Sequence, residues 1–297
     1  VMNFPVRQDN PYRIDLEETA RILERVDPEI IIFGKSMVLH PEPVAQVREL
    51  VKGKKSPPLL MYDMAHVIGL VGPSFQEPFS EGADIVTGST HKTFFGTQRG
   101  VVGAALEEER PEFELWKAIR RRAFPGMVSN HHLGTLLGLL LAAVEMNAFK
   151  GEYQPQVIRN AKAFARTLRD QGLDVQGDPA VDFTETHQVI VKVGYAGGIE
   201  AARNLERNSV IVNYQALPGD ESFTSSSGLR LGVSEMTRFG MKEKDFETLA
   251  ALFADVVKGN RDVKESVVRL RQGFQDMRYC FEGDELETLK EKLLATF

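Results

Sequence analysis

Cysteine is nearly absent from this chain: Cys280 is the only one in 297 residues. That excludes an intrachain disulfide and any metal site built from several cysteines, and it fits a reducing, cytoplasmic setting. Basic charge is also in short supply, with 36 Lys and Arg against 42 Asp and Glu and a net charge of −6. A nucleic-acid partner needs cationic side chains gathered on one face. The one basic knot, Arg120-Arg121-Arg122, reads as a solvated helix end, so no nucleic acid is expected. No uninterrupted apolar run reaches the roughly 18–20 residues that cross a bilayer. The longest candidate, Leu133 to Val144, contains glycines and reads as a buried helix, so no membrane is expected either. The opening Val1-Met2-Asn3-Phe4-Pro5 has neither the basic nor the apolar region of a secretion signal. The six histidines are dispersed, and the adjacent His131 and His132 point apart on any regular element, so no metal centre is expected.

What remains is an ordinary balance, 42% apolar and 26% charged residues, enough for a sizeable core. The length is that of two packed units, since single cores stop growing near roughly 250–300 residues. In the first half, strand-length apolar runs alternate with helical periods, the pattern of a mostly parallel sheet covered by helices. Glu29–Gly34, Pro58–Met64, Ala83–Gly88 and Gly100–Leu106 read as strands, and Pro43–Lys52 and Phe113–Phe124 as helices. The breaker Phe124-Pro125-Gly126 leads to two helices, Leu133–Phe149 and Tyr153–Gln171. Further on, strands at Gln188–Val193, Val210–Asn213 and Leu229–Val233 mix with helices at Gly198–Arg207 and Asp245–Val257, which reads as a compact α+β unit. The class is α/β, with a large domain at 1–155 and a smaller C-terminal domain at 156–297.

Two charged marks stand at the ends of apolar strands: Asp63 closes Pro58–Asp63, and His91-Lys92 follow Ala83–Gly88. Ligands of open parallel sheets bind outside the carboxyl ends of the strands, where both marks fall. Pyridoxal 5'-phosphate asks a protein for a lysine amine, a carboxylate for its pyridine nitrogen and donors for its phosphate. Lys92 and a buried Asp63 suit the first two demands. Each also has a plain reading: a strand-end Asp is commonly a cap or turn residue, a lone Lys is commonly solvated, and His66 suits a half-buried structural role.

The runs Asp63-Met64-Ala65-His66-Val67-Ile68-Gly69-Leu70 and Gly88-Ser89-Thr90-His91-Lys92-Thr93-Phe94-Phe95-Gly96 resemble the signature of the serine hydroxymethyltransferase family. Phe124-Pro125-Gly126-Met127-Val128-Ser129-Asn130-His131-His132-Leu133 resembles the loop of its archaeal-type branch. Ser227-Gly228-Leu229-Arg230-Leu231-Gly232 with Glu235-Met236-Thr237-Arg238-Phe239-Gly240 resembles its carboxylate-binding segment. The resemblance begins inside the family pattern, whose members carry a further segment ahead of Val1.

It implies the aminotransferase-like fold, fold type I of the pyridoxal-phosphate enzymes. It also implies roles: Lys92 bound to the cofactor as a Schiff base, Asp63 on the pyridine nitrogen, His66 and Ser36 near the phenolic oxygen, Thr90 and His91 beside the ring and phosphate. Arg230 is implied to hold the substrate carboxylate and Asn213 to lie near a pterin. Ser129, Asn130 and His131 are implied to reach the phosphate of a neighbouring subunit, making a homodimer with shared sites. The implied reaction interconverts serine and glycine, with the one-carbon unit passing to a tetrahydropterin or tetrahydrofolate. Tyr214 after Asn213, and Thr97-Gln98-Arg99-Gly100 in place of a proline-containing turn, depart from the pattern and bear on the pterin. A threonine aldolase or transaldolase on the same scaffold, and an incomplete, silent fragment, are the competing readings.

Overall fold

Short runs of β-branched and aliphatic residues become β1 (Ile30–Phe33), β2 (Leu59–Asp63), β3 (Ile85–Ser89) and β4 (Gly100–Ala104), one sheet in the order β1-β2-β3-β4. The computed structural model describes residues 1–106 and 113–295. β1 and β2 run parallel, as do β2 and β3, and β4 returns antiparallel to β3. Helices α1 (Leu16–Leu23) and α2 (Val44–Val51) belong to this half, with Val44, Val47 and Val51 of α2 buried. The spacing of those valines by three and then four residues is what turns one stripe of α2 inward.

β1 is an edge strand. Ile31 and Phe33 face the core, whereas Ile30 and Ile32 are exposed. Beside it lies an open cleft of about 870 Å³ walled by Phe4, Ile14, Ile22, Leu23 and β1 itself.

The second sheet has the order β5-β6-β8-β7, from β5 (Asp174–Gln176), β6 (Gln188–Lys192), β7 (Asn213–Gln215) and β8 (Gly228–Gly232), and every pairing is antiparallel. The strand expected at Val210–Asn213 begins three residues later. Ser209 has a left-handed φ of 64°, and pairing with β8 starts only at Asn213, opposite Arg230. Helix α5 (Gly198–Arg207) packs on β7 and β8, α7 (Glu243–Gly259) lies against α5, and α6 (Ser234–Arg238), α8 (Lys264–Gln272) and α9 (Gly283–Leu294) complete this half. One apolar core runs through both halves, from Leu60 and Tyr62 to Val191, Phe246 and Phe253.

Between α3 (Phe113–Arg121) and the second sheet, the two helices expected are one: α4 runs from Leu133 to Asp170, 38 residues, with Pro155 inside it. Proline removes one hydrogen bond from a helix interior and crowds the carbonyl four residues earlier. Here the neighbours of Pro155 hold the helix straight through: the Tyr153 hydroxyl donates to Thr93 O at 3.3 Å, and Gln154 Nε2 donates to Gly69 O and Val71 O at 3.1 and 2.9 Å. The boundary at 155/156 therefore falls within a continuous helix.

The expectation of a buried helix at Leu133–Val144 is also corrected, because Leu133, Leu136 and Leu140 are exposed. By length and composition α4 is the one helix among the described residues that reaches membrane-crossing criteria, with an 18-residue window of mean hydropathy 1.4 that is only 17% buried.

Candidate active site

The site is built at the carboxyl ends of β1, β2 and β3. After β1 the chain turns at Gly34 with φ +111°, a conformation that side-chain-bearing residues rarely adopt, and a Cβ there would lie 2.2 Å from the Asp63 carbonyl oxygen. Only glycine lets the Ser36 loop cross so close to the end of β2. After β2 the chain closes a tight turn, with Val67 N and Ile68 N donating to Met64 O at 2.9 and 2.8 Å, and this presents His66 at the strand end.

The loop after β3 carries Lys92 and is tied down on all sides. The Thr90 hydroxyl bonds to Thr97 O and Arg99 O at 2.7 and 3.0 Å and accepts from Arg99 N at 3.1 Å. Thr93 Oγ1 donates to His66 O and accepts from Gly69 N, both at 3.0 Å. A Cβ on Gly69 would meet the Thr93 carbonyl carbon at 2.1 Å, so this glycine is what allows the lysine loop to lie on the His66 turn.

The Lys92 ammonium nitrogen stands 3.4 Å from His66 Nε2. Burial, and then the Arg230 cation, lower the Lys92 pKa below its usual value, while Asp63 acts in the opposite sense. Burial, with Lys92 and Arg230 adding to it, pushes His66 down to about 4. Both groups are thus biased toward their neutral forms. Arg230 Nη1 donates to Ser36 O at 3.1 Å, which brings β8 of the second sheet against the loop after β1. Asn213 faces Arg230 across the β7–β8 ladder.

Lys92, His66, Arg230, Asn213 and Ser36 therefore gather about one place. Other expected residues sit differently. Asp63 is exposed rather than buried, and its Oδ1 accepts from Ala65 N at 3.0 Å, the turn-capping role that a strand-end Asp commonly fills. The Thr90 hydroxyl is committed to the loop, and His91 is exposed. Ser129, Asn130 and His131 are exposed ahead of α4, and Asn130 Oδ1 accepts from His131 N at 2.8 Å. Ser129 and Asn130 do not cap α4, whose N-cap is His132 without a side-chain bond.

Two residues were not foreseen. Gln188 is buried on β6 and its carboxamide reaches His66 Nδ1 at 3.3 Å. His187, also buried, stacks on His66 with ring centroids 6.5 Å apart, and burial pushes it down to about 3. Its Nδ1 is buried without a hydrogen-bond partner among the described residues. The signal available in the sequence was a polar pair, His187-Gln188, at the mouth of an otherwise apolar strand.

A mixed sheet with a lysine loop beyond β3, joined to an antiparallel second sheet carrying an arginine, defines the aminotransferase-like class, fold type I of the pyridoxal-phosphate enzymes. The crystal structure of L-threonine transaldolase from Pseudomonas fluorescens, in its internal aldimine state, superposes with a TM-score of 0.85 at 34% identity, over 99% of this chain and 65% of that one.

Within that class the chain belongs to the serine hydroxymethyltransferase family, whose model matches residues 1–253. The serine hydroxymethyltransferase of Archaeoglobus fulgidus is 40% identical over 96% of this chain and 64% of that protein, and that of Korarchaeum cryptofilum 41% identical over 92% and 63%. The chain thus spans somewhat less than two thirds of the length of these relatives.

Proposed function

We propose that this chain carries the core of a pyridoxal-phosphate-dependent hydroxymethyltransferase of the cytoplasm. Its reaction interconverts serine and glycine and passes the one-carbon unit to a tetrahydropterin or tetrahydrofolate. The observation that carries this reading is the Lys92 amine on a tied-down loop, 3.4 Å from His66 and lowered in pKa. An amine must be neutral to attack a carbonyl, and burial here favours that form.

The donor set fits the cofactor: an amine biased toward neutrality, a neutral imidazole beside it, a solvent-facing carboxylate at the β2 end and a cation opposite. When bound, pyridoxal phosphate supplies the electron sink for the charge left on the substrate α-carbon. Lys92 provides the attachment point and Asp63 the carboxylate for the pyridine nitrogen. Arg230 keeps donors beyond its bond to Ser36, and a planar guanidinium suits a planar carboxylate better than an ammonium does. Asn213, across the ladder from Arg230, is placed to meet the pterin. Thr90 positions the loop, and His91 borders it.

We further propose a homodimer in which Ser129, Asn130 and His131 of one copy serve the phosphate of the other. The exposed apolar start of α4, directly after those residues, supports this. Residues 1–155 then act as the cofactor-binding large domain and 156–297 as the small domain, hinged across α4.

Lys92→Ala should abolish the visible absorbance that the lysine–cofactor linkage produces, and borohydride should fix no cofactor on the chain. Trapping on another lysine, found by peptide mass, would sink the assignment. The structural likeness to a transaldolase favours a second reading, aldehyde exchange on threonine. Glycine formed from serine only when tetrahydrofolate is present supports the first reading, and exchange of threonine's aldehyde without folate supports the second.

A further inference from the structure

The side chain of Gln188 is held by two backbone groups of the loop after β1, and these leave no choice about which end is which. Its Oε1 accepts from Val38 N at 2.8 Å, which only an oxygen can do, and its Nε2 donates to Ser36 O at 3.0 Å, which only the NH₂ end can do. The second N–H of that Nε2 faces His66 Nδ1 at 3.3 Å. His66 Nδ1 must then present a lone pair, and the neutral ring must carry its proton on Nε2, the nitrogen 3.4 Å from the Lys92 amine.

We propose that Gln188, a residue of the second sheet, is a positioning residue that fixes the Nε2–H tautomer of His66 and so sets the hydrogen-bond polarity that Lys92 meets. An Nε2–H donor facing Lys92 welcomes a neutral amine, which accepts, and disfavours an ammonium, which would oppose donor to donor. The opposite tautomer would present a lone pair there and stabilise the charged lysine. Gln188 also stands against a charged His66, because an Nδ1–H would point at the carboxamide NH₂.

The charged and titratable groups around the ring are Lys92 on the loop after β3, Asp63 at the end of β2, Arg230 on β8 and His187 on β6. None of them bonds to Nδ1, so the tautomer rests on Gln188. The link to cofactor attachment depends on the function proposed above; the tautomer itself does not.

The test is ¹⁵N NMR of histidine-labelled protein without cofactor, with His66→Gln used to assign the signal. Wild type should show His66 protonated on Nε2. Gln188→Glu keeps the acceptor for Val38 N but offers an acceptor to His66, so the ring proton should move to Nδ1. The pH midpoint for modification of Lys92 by an amine-directed reagent should then rise.

Gln188→Met, which keeps the volume without the donor, should give a tautomer mixture while the fold is retained. A wild-type ring protonated on Nδ1 would overturn the inference, and so would an Nε2–H ring unchanged in Gln188→Glu. The wild-type spectrum decides even where a variant fails to fold. The expected tautomer in a protein whose Lys92 holds no cofactor would defeat the functional reading and leave this inference standing.

Discussion

The two halves of α4 invert the usual relation between hydropathy and burial. The start of the first half, Leu133–Leu141, is leucine-rich and uncharged, yet none of its residues is buried. The second half carries Tyr153, Gln154, Gln156 and Asn160, and all four are buried. Every one of those polar groups has a partner. Asn160 Nδ2 donates to Thr237 Oγ1 and Met241 O at 2.8 and 2.9 Å, and Gln156 Nε2 donates to Asn160 Oδ1 and Glu243 Oε2 at 2.8 and 3.0 Å. Between the halves, Glu145 meets Arg238 at 3.0 Å, both largely buried, and the Arg238 guanidinium lies 3.6 Å from the centre of the Phe95 ring in the lysine loop. On the second half of α4 the buried polar side chains are hydrogen-bonded, and at Arg238, whose Nε and Nη1 are buried without hydrogen-bond partners among the described residues, the Glu145 carboxylate and the Phe95 ring face the cation. The apolar first turns instead lie open, as interaction surfaces do.

The contrast is broken most severely at the ion pair. Arg238→Ala strands the Glu145 carboxylate inside the protein and removes the cation over Phe95. A loss of about 3–5 kcal/mol is expected, read as a fall in the urea midpoint. Retained stability would mean that Glu145 finds water instead.

A smaller effect is expected at Asn160→Ala, which leaves the Thr237 hydroxyl and Met241 carbonyl without their donor. The cost should be about 1–3 kcal/mol by the same measurement. If the aliphatic half packs only against a second copy, Leu136→Glu with Leu140→Glu should change the stability of the separated chain least, within about 0.5 kcal/mol, as surface substitutions do. Sedimentation should nevertheless show self-association lost. A variant that sediments as wild type would remove the dimer from that face.

Much of the site could be read from the sequence because its parts are local. The strand ends at Asp63 and Ser89, the turn carrying His66 and the loop carrying Lys92 lie within about thirty residues. Arg230 and Asn213 became legible only through family resemblance, since nothing in their own neighbourhoods points to Lys92. Gln188 escaped altogether: its meaning lies in contacts with Ser36, Val38 and His66, up to 152 residues away.

The burial assigned to Asp63 failed for a related reason. A carboxylate after an apolar strand looks enclosed, and only the fold shows it turned outward onto Ala65 N. In α4, Gly151 and Pro155 carry the local signature of a helix break, which the anchors at Tyr153 and Gln154 override.

That unbroken helix has a mechanical consequence. At 38 residues it is a rod about 57 Å long, reckoned at the usual rise per residue. Its first turns bind the lysine loop through Thr97 and Arg99, and its last turns pack on α7 with Phe164 against Phe246 and Phe253. A tilt of only about 5° about the middle carries the two ends roughly 2.5 Å in opposite directions. The bonds of Tyr153 and Gln154 brace that middle, so a rod moving as one piece would carry the lysine loop and the second sheet as the two arms of one lever, with its fulcrum under Tyr153.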